Sequence, residues 1–111
     1  MNKLYSSAAL EASAVASAAP CFVDEVICTN SSAGVLYLHI FDLAAVPADT
    51  TDPDISIAVP ATGTVSWDPA EQRAGRGAKF DNGCSVCLSS TANPKTVAGA
   101  VGVFTVRGTA V

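Results

Sequence analysis

Charge is what this sequence has least of. Only 14% of its 111 residues are charged, against roughly a quarter in an average soluble domain. Ten acidic residues outnumber six basic ones, for a net charge of −4. A protein that tracks nucleic-acid phosphates needs the opposite balance, so nucleic acid is not an expected partner. There is one histidine, and no serine sits in a nucleophile-elbow context and no His-Glu zinc motif occurs. No unbroken apolar run approaches the ~18–20 residues of a membrane-spanning helix, so no membrane is expected either. No repeat of fixed period is present. The readily recognised catalytic, nucleic-acid-binding and membrane classes are therefore not indicated.

What the chain does have is apolar surface. Half of its residues are hydrophobic, which separates it from disordered chains that bury too little to offset their ordering entropy. The length allows one domain. A core of that size is marginal, so extra burial against partners is expected. Four cysteines, Cys21, Cys28, Cys84 and Cys87, allow three readings. Cys84-x-x-Cys87 has zinc-ligand spacing, but Cys21 and Cys28 do not form the usual tight second pair. Disulfides would require an oxidising compartment. Free thiols acting as small buried hydrophobes are the preferred reading. Redox chemistry is disfavoured, because Ser85 and Val86 lie within a strand-like run rather than at a helix start.

Residues 1–20 are Ala-rich, and Pro20 marks their end. Lys3 followed by Ala-x-Ala spacings resembles a secretory signal superficially, but Ser6, Ser7, Glu11 and Ser13 break up the apolar stretch that a signal requires. The segment reads as an arm, with enough alanine for a short helix, ordered by a partner or left free. From Cys21 the period becomes strand-like. Cys21–Thr29, Val35–Phe41, Ile55–Val59, Val65–Trp67, a short strand at Phe80, Cys84–Ser90 and Val97–Val106 are separated by turn residues. Val35–Phe41 is apolar on both faces, which places it centrally in a sheet covered on both sides. Asp81-Asn82-Gly83 reads as a turn, since Asn-Gly tolerates positive φ at both central positions. Six to eight short strands with turns every 8–12 residues give a single all-β, antiparallel β-sandwich of jelly-roll or immunoglobulin-like type over residues 21–111, with the Ala-rich N-terminal arm before it. The expected core is Val26, Leu36, Leu38, Ile40, Ile57, Val59, Val65, Trp67, Phe80, Val86, Leu88, Val103 and Phe104.

Candidate chemistry is sparse. His39 lies between Leu38 and Ile40, on the same strand face as Tyr37 and Phe41. It reads as a packed histidine with one hydrogen bond rather than a base or metal ligand. Asp49, Asp52 and Asp54 could converge on calcium, but their spacing fits no EF-hand, and a solvated acidic loop is preferred. Arg73, Arg76 and Lys79 lie near Gly75 and Gly77 without the context of a phosphate loop. They read as a solvated loop, or as one that docks onto an acidic neighbour. No catalytic, cofactor-binding or metal site is expected. The candidate interface residues are Leu4, Tyr5, Leu10 and Val15 in the arm, with Arg73, Arg76 and Lys79 in the loop.

Three runs carry a resemblance. They are Gly34-x-Leu36-Tyr37-Leu38-x-Ile40-Phe41-Asp42 followed by Ala44-Ala45-x-Pro47, then Val59–Trp67, then Phe80–Thr91. Together they cover about half the chain and resemble small β-sandwich structural proteins of tailed bacteriophages. The resemblance implies a non-enzymatic virion component assembled in the host cytoplasm, above all a capsid decoration or cement protein. Such a protein bridges neighbouring subunits of the shell. The implied partners are the major capsid protein or other virion subunits, with self-association in the assembly. A tail, neck or baseplate subunit, or a fibre or receptor-binding module reading its target with loops 42–54 and 68–79, is the alternative. A secreted adhesion or pilus-like subunit would need disulfides and signal cleavage. The arm lies outside the resembling pattern.

Overall fold

The computed structural model describes residues 3–69 and 77–111. Every named element among them is a strand. There are nine: β1 Lys3–Ser6, β2 Ser13–Ser17, β3 Cys21–Asn30, β4 Leu36–Phe41, β5 Ile55–Val59, β6 Thr64–Trp67, β7 Ala78–Phe80, β8 Cys84–Ser89 and β9 Gly102–Ala110. One sheet runs β1-β9-β3-β6, with β7 also pairing β3, and the other runs β2-β8-β4-β5. All pairings are antiparallel. Consecutive strands alternate between the sheets at both ends of the chain, which is the double Greek-key order of a jelly roll.

The residues expected to form an arm are instead built into the sandwich. β1 pairs β9 at the edge of one sheet, and β2 pairs β8 at the edge of the other. Helix propensity loses here because alanine is small. Ala14 and Ala16 alternate with Ser13, Val15 and Ser17 and are buried. That period of two lets a thin edge strand lie over the core. The short link Ala18–Pro20 then carries the chain across to β3 in the opposite sheet.

β3 and β9 form the spine. They pair from Cys21↔Ala110 to Asn30↔Gly102, with a register shift between Val23 and Glu25. The shift is a bulge, and it explains why the buried positions go from Cys21 and Val23 to Val26 and Cys28. It also divides the strand's far edge, which pairs β7 before the bulge and β6 after it. Opposite the bulge, a Cβ at Gly108 would overlap the Phe22 carbonyl oxygen, so only glycine allows β9 this close to β3.

The core lies between the sheets. Val26, Leu38, Ile40, Val59, Phe80, Val86, Leu88 and Phe104 are buried as expected. Leu36, Ile57, Val65 and Trp67 pack against them from the margin. Val103 does not belong, since it alternates outward with Phe104 and Val106 inward. Val97–Val101 is not strand either. Val97 makes one isolated bridge to Ser89, and β9 instead continues to Ala110 to match the ten-residue β3. Cys21, Cys28, Cys84 and Cys87 are free and buried.

Candidate functional site

The two outer faces of the sandwich differ. β4 lies inside its sheet with Leu38 and Ile40 in the core, so His39 and Phe41 point to the outer side. Both are nevertheless buried. Segments 42–54 and 90–97 cover them, and the two segments are bonded to each other. Thr50 N–H donates to the Lys95 carbonyl at 2.8 Å, and Lys95 N–H donates to the Thr51 carbonyl at 2.8 Å. The Lys95 ammonium, only 5% exposed, donates to Asp49 Oδ1 at 2.6 Å. Val97 N–H donates to the same oxygen at 3.2 Å. These donors, Lys95 first, hold the Asp49 carboxyl below its usual range. Beneath the cap, Ser85 donates to the carbonyls of Leu43 and Ala45, and Ser89 accepts from Thr96 N–H.

His39 lies under this cap with the single hydrogen bond that its sequence context suggests. Its Nε2 is 3.0 Å from the Ala92 carbonyl. A carbonyl only accepts, so Nε2 carries the proton and Nδ1 is a bare acceptor. Among the described residues, Nδ1 is the buried side-chain polar atom with no hydrogen bond. Burial lowers the His39 pKa, Lys95 adds to the effect, and the Ala92 and Thr91 carbonyls oppose it. Cys87 is directly opposite His39 in register. Burial pushes its thiol up to about 11, against the pull of Lys95. Cys28 and Cys84 are pushed up to about 12 by burial. Thiols held this far above neutrality are poor nucleophiles and behave as apolar side chains.

The acidic loop is used internally. Asp49 serves Lys95, and Asp54 Oδ2 accepts the Asp42 N–H at 2.7 Å. Asp42 in turn accepts from the Asp81 and Asn82 N–H groups at 3.2 and 2.9 Å. That carboxylate fixes the 81–83 turn, in which only Gly83 has positive φ, at 145°. The turn therefore differs from the two-residue form expected from Asn-Gly. Among the described residues, no group of three or more acidic, histidine or cysteine side chains is placed to hold a metal ion.

Among the described residues, the outer face of the β1-β9-β3-β6 sheet has no such cover. Phe22, Ile27 and Thr29 on β3 and Val103 and Thr105 on β9 alternate with the core residues and are exposed or half-buried. Thr29 and Thr64 share a hydroxyl–hydroxyl bond of 2.9 Å across β3 and β6. On the same face Arg107 and Glu25 approach to 3.9 Å between Phe22 and Ile27, and Lys79 is opposite Phe22 in register. The half of the face beyond that pair, around Ile27, Thr29, Val103 and Thr105, is apolar and hydroxylated.

The residues singled out from sequence do not gather into one patch. Leu4 and Tyr5 pack against the core margin from β1, and the Tyr5 hydroxyl bonds Glu11. Leu10 is 51% exposed and Val15 38% exposed, both on or beside the opposite edge strand β2. Lys79 lies exposed on β7, 3.8 Å from Asp81. Arg73 and Arg76 lie outside the described residues. Of the open sheet face only Lys79, opposite Phe22 in register, was singled out, although Val103 and Thr105 already share one face in the sequence alternation.

The chain matches no family model, no curated protein and no solved structure.

Proposed function

We propose that this chain is a non-enzymatic structural subunit of a virion, one that decorates or cements a shell by docking onto its neighbours. The observation that carries the reading is the asymmetry of the sandwich. One outer face is roofed by loops, and among the described residues the other leaves Ile27 and Val103 uncovered beside Thr29, Thr64 and Thr105. An apolar, hydroxyl-bearing half-face suits repeated lateral contacts. Burying several hundred Å² there gives several kcal/mol per copy at ~25 cal/mol per Å², before association costs. Many copies on one lattice add avidity. The viral setting comes from the resemblance of the Gly34–Asp42, Val59–Trp67 and Phe80–Thr91 runs. Jelly rolls are used for shells and equally for lectins, so the fold supports this reading by analogy only.

Loop-borne receptor recognition has less support. Loop 42–54 is tied down through Asp49, Thr50 and Thr51, and most of loop 68–79 lies outside the described residues. The test is particle-bound copies. Antibodies against the purified chain are applied to density-banded particles from cells that express its gene. Stoichiometric copies on the particles are expected. Chain confined to the unbanded soluble fraction overturns the proposal.

A further inference from the structure

We propose that His39 is an acid-triggered release for the loop cap over the β2-β8-β4-β5 sheet. The inference stands on the geometry beneath the cap and does not depend on the virion reading. His39 is fully buried. Its Nε2–H is committed to Ala92 O, an oxygen that also accepts from Ser56 Oγ at 2.8 Å. Nδ1 makes no hydrogen bond. A second proton must go onto Nδ1, where it would form a buried N–H with no acceptor at hydrogen-bond distance. Such a group is among the least favourable a folded interior can hold.

The surrounding groups do not relieve it. From segment 90–97 the Lys95 ammonium repels the cation, while the Ala92 and Thr91 carbonyls favour it. From β8 the facing group is Cys87, a neutral thiol. From β5 it is the neutral Ser56, and on β4 itself Phe41 meets the imidazole edge-on, with ring centroids 6.0 Å apart. Of the carboxylates of segment 42–54, Asp49 is already taken by Lys95 and the Val97 N–H, Asp42 by the 81–83 turn and Asp54 by the Asp42 N–H. The balance falls on the side of neutral imidazole, whose pKa lies below the ordinary 6.5.

The sign follows from linkage. A histidine with a lowered folded-state pKa binds fewer protons closed than open, so closure is favoured above about 6.5 and weakens as pH falls below it. Each unit of pH across the window between the two pKa values raises the open population by up to about tenfold. The open form keeps the inter-sheet core, because Leu38, Ile40, Val86 and Leu88 face the other way. It uncovers Phe41, Ser85, Cys87 and Ser89. The Asp49–Lys95 bond is not the trigger, since a carboxyl already held below 3.8 titrates lower still.

Cys87 reports on the opening. It alone of the four cysteines lies outside the inter-sheet core cluster. The full chain is treated with 4,4′-dithiodipyridine, which labels thiols in acid as well as at neutrality. Labelling of each cysteine is followed by peptide mass spectrometry at pH 7.5 and pH 5. The ratio of Cys87 to Cys28 labelling is expected to rise severalfold at pH 5 in the native chain. It should stay flat in His39→Gln, which retains an N–H for Ala92 O and does not titrate. A ratio unchanged by pH in the native chain, or a rise that survives in His39→Gln, overturns the proposal. Should His39→Gln fail to fold, the His39 imidazole is titrated by NMR in the native chain. A pKa below 6.5 with chemical-shift changes spreading to segments 42–54 and 90–97 supports the switch, and one at or above 6.5, or changes confined to the ring, overturns it.

Discussion

Buried polar side chains set the strongest constraints at the scale of single residues. Asn30 has no exposed surface, and its side chain is fully used. Nδ2 donates to the carbonyls of Gly34, Val59 and Pro60 at 2.9, 3.3 and 3.3 Å. Oδ1 accepts from Ser32 N–H and Oγ at 2.9 and 2.7 Å. One amide thus joins the β3–β4 turn to the end of β5. Asn30→Asp replaces the donor with oxygen in front of those carbonyls, and a loss of about 3 kcal/mol is expected in urea unfolding. Near-native stability in that variant contradicts the assignment. The Lys95–Asp49 pair gives an ordered prediction. Asp49→Asn strands an ammonium in a nearly closed site, whereas Lys95→Met leaves an exposed carboxylate that water can solvate. Asp49→Asn should therefore lower the urea midpoint more than Lys95→Met does. The Asp49 carboxyl is held below 3.8, so what it contributes is present above about pH 4 and disappears below. That window is separate from the one assigned to His39.

At the scale of elements, alternation made most strands legible and the short N-terminal ones illegible. Ile55–Val59 and Thr64–Trp67 follow a period of two with turn residues on both sides, and both form as read. Lys3–Ser6 carries only Leu4 and Tyr5 as large apolar residues, and Ser13–Ser17 only Val15, so neither shows a pattern stronger than alanine's helix preference. Their strand state is imposed by β9 and β8, which offer unpaired edges from far along the chain. The phase change in β3 was not legible, because a bulge is not written in composition, whereas the four cysteines are free and buried as read. The cap was missed for a related reason, since a loop's polar residues do not announce which face they will cover. Deleting residues 1–7 tests whether β1 is part of the fold or an appendage. It removes Leu4 and Tyr5 from the core margin, and Ser7 from Phe104, whose N–H donates to Ser7 Oγ at 2.9 Å. A loss of about 2–4 kcal/mol is expected from the apolar area alone, which lowers the melting temperature by roughly 10–20 °C in a domain of this size. An unchanged melting curve would return the segment to the status of an arm. Gly108→Ala should cost about 1–3 kcal/mol by forcing β9 away from the bulge.

For the molecule as a whole, the pairing of β1 with β9 joins the two ends of the chain, so neither end can be trimmed without opening a sheet edge. This bears on how assembly can be tested. A truncation before Pro20 removes two strands and confounds loss of association with loss of fold. Surface substitutions on the open sheet separate the two. Ile27 and Val103 point away from the core on the interior strands β3 and β9, where a lysine side chain can reach water in the isolated subunit. Ile27→Lys combined with Val103→Lys should leave the melting temperature of the free chain within a few degrees, as surface changes do. The same double variant should lose association, because a docked neighbour would bury both ammonium groups without partners. Contacts through an apolar face also have a salt signature. With the net charge at −4, raising the salt concentration screens repulsion between copies and leaves apolar burial intact, so association should hold or strengthen at about 1 M NaCl. Light-scattering mass across a concentration series, for the native chain and the double variant at low and high salt, reads both effects. Association that weakens with salt, or that the two lysines leave untouched, would place the contact at the charged loops instead of the open sheet.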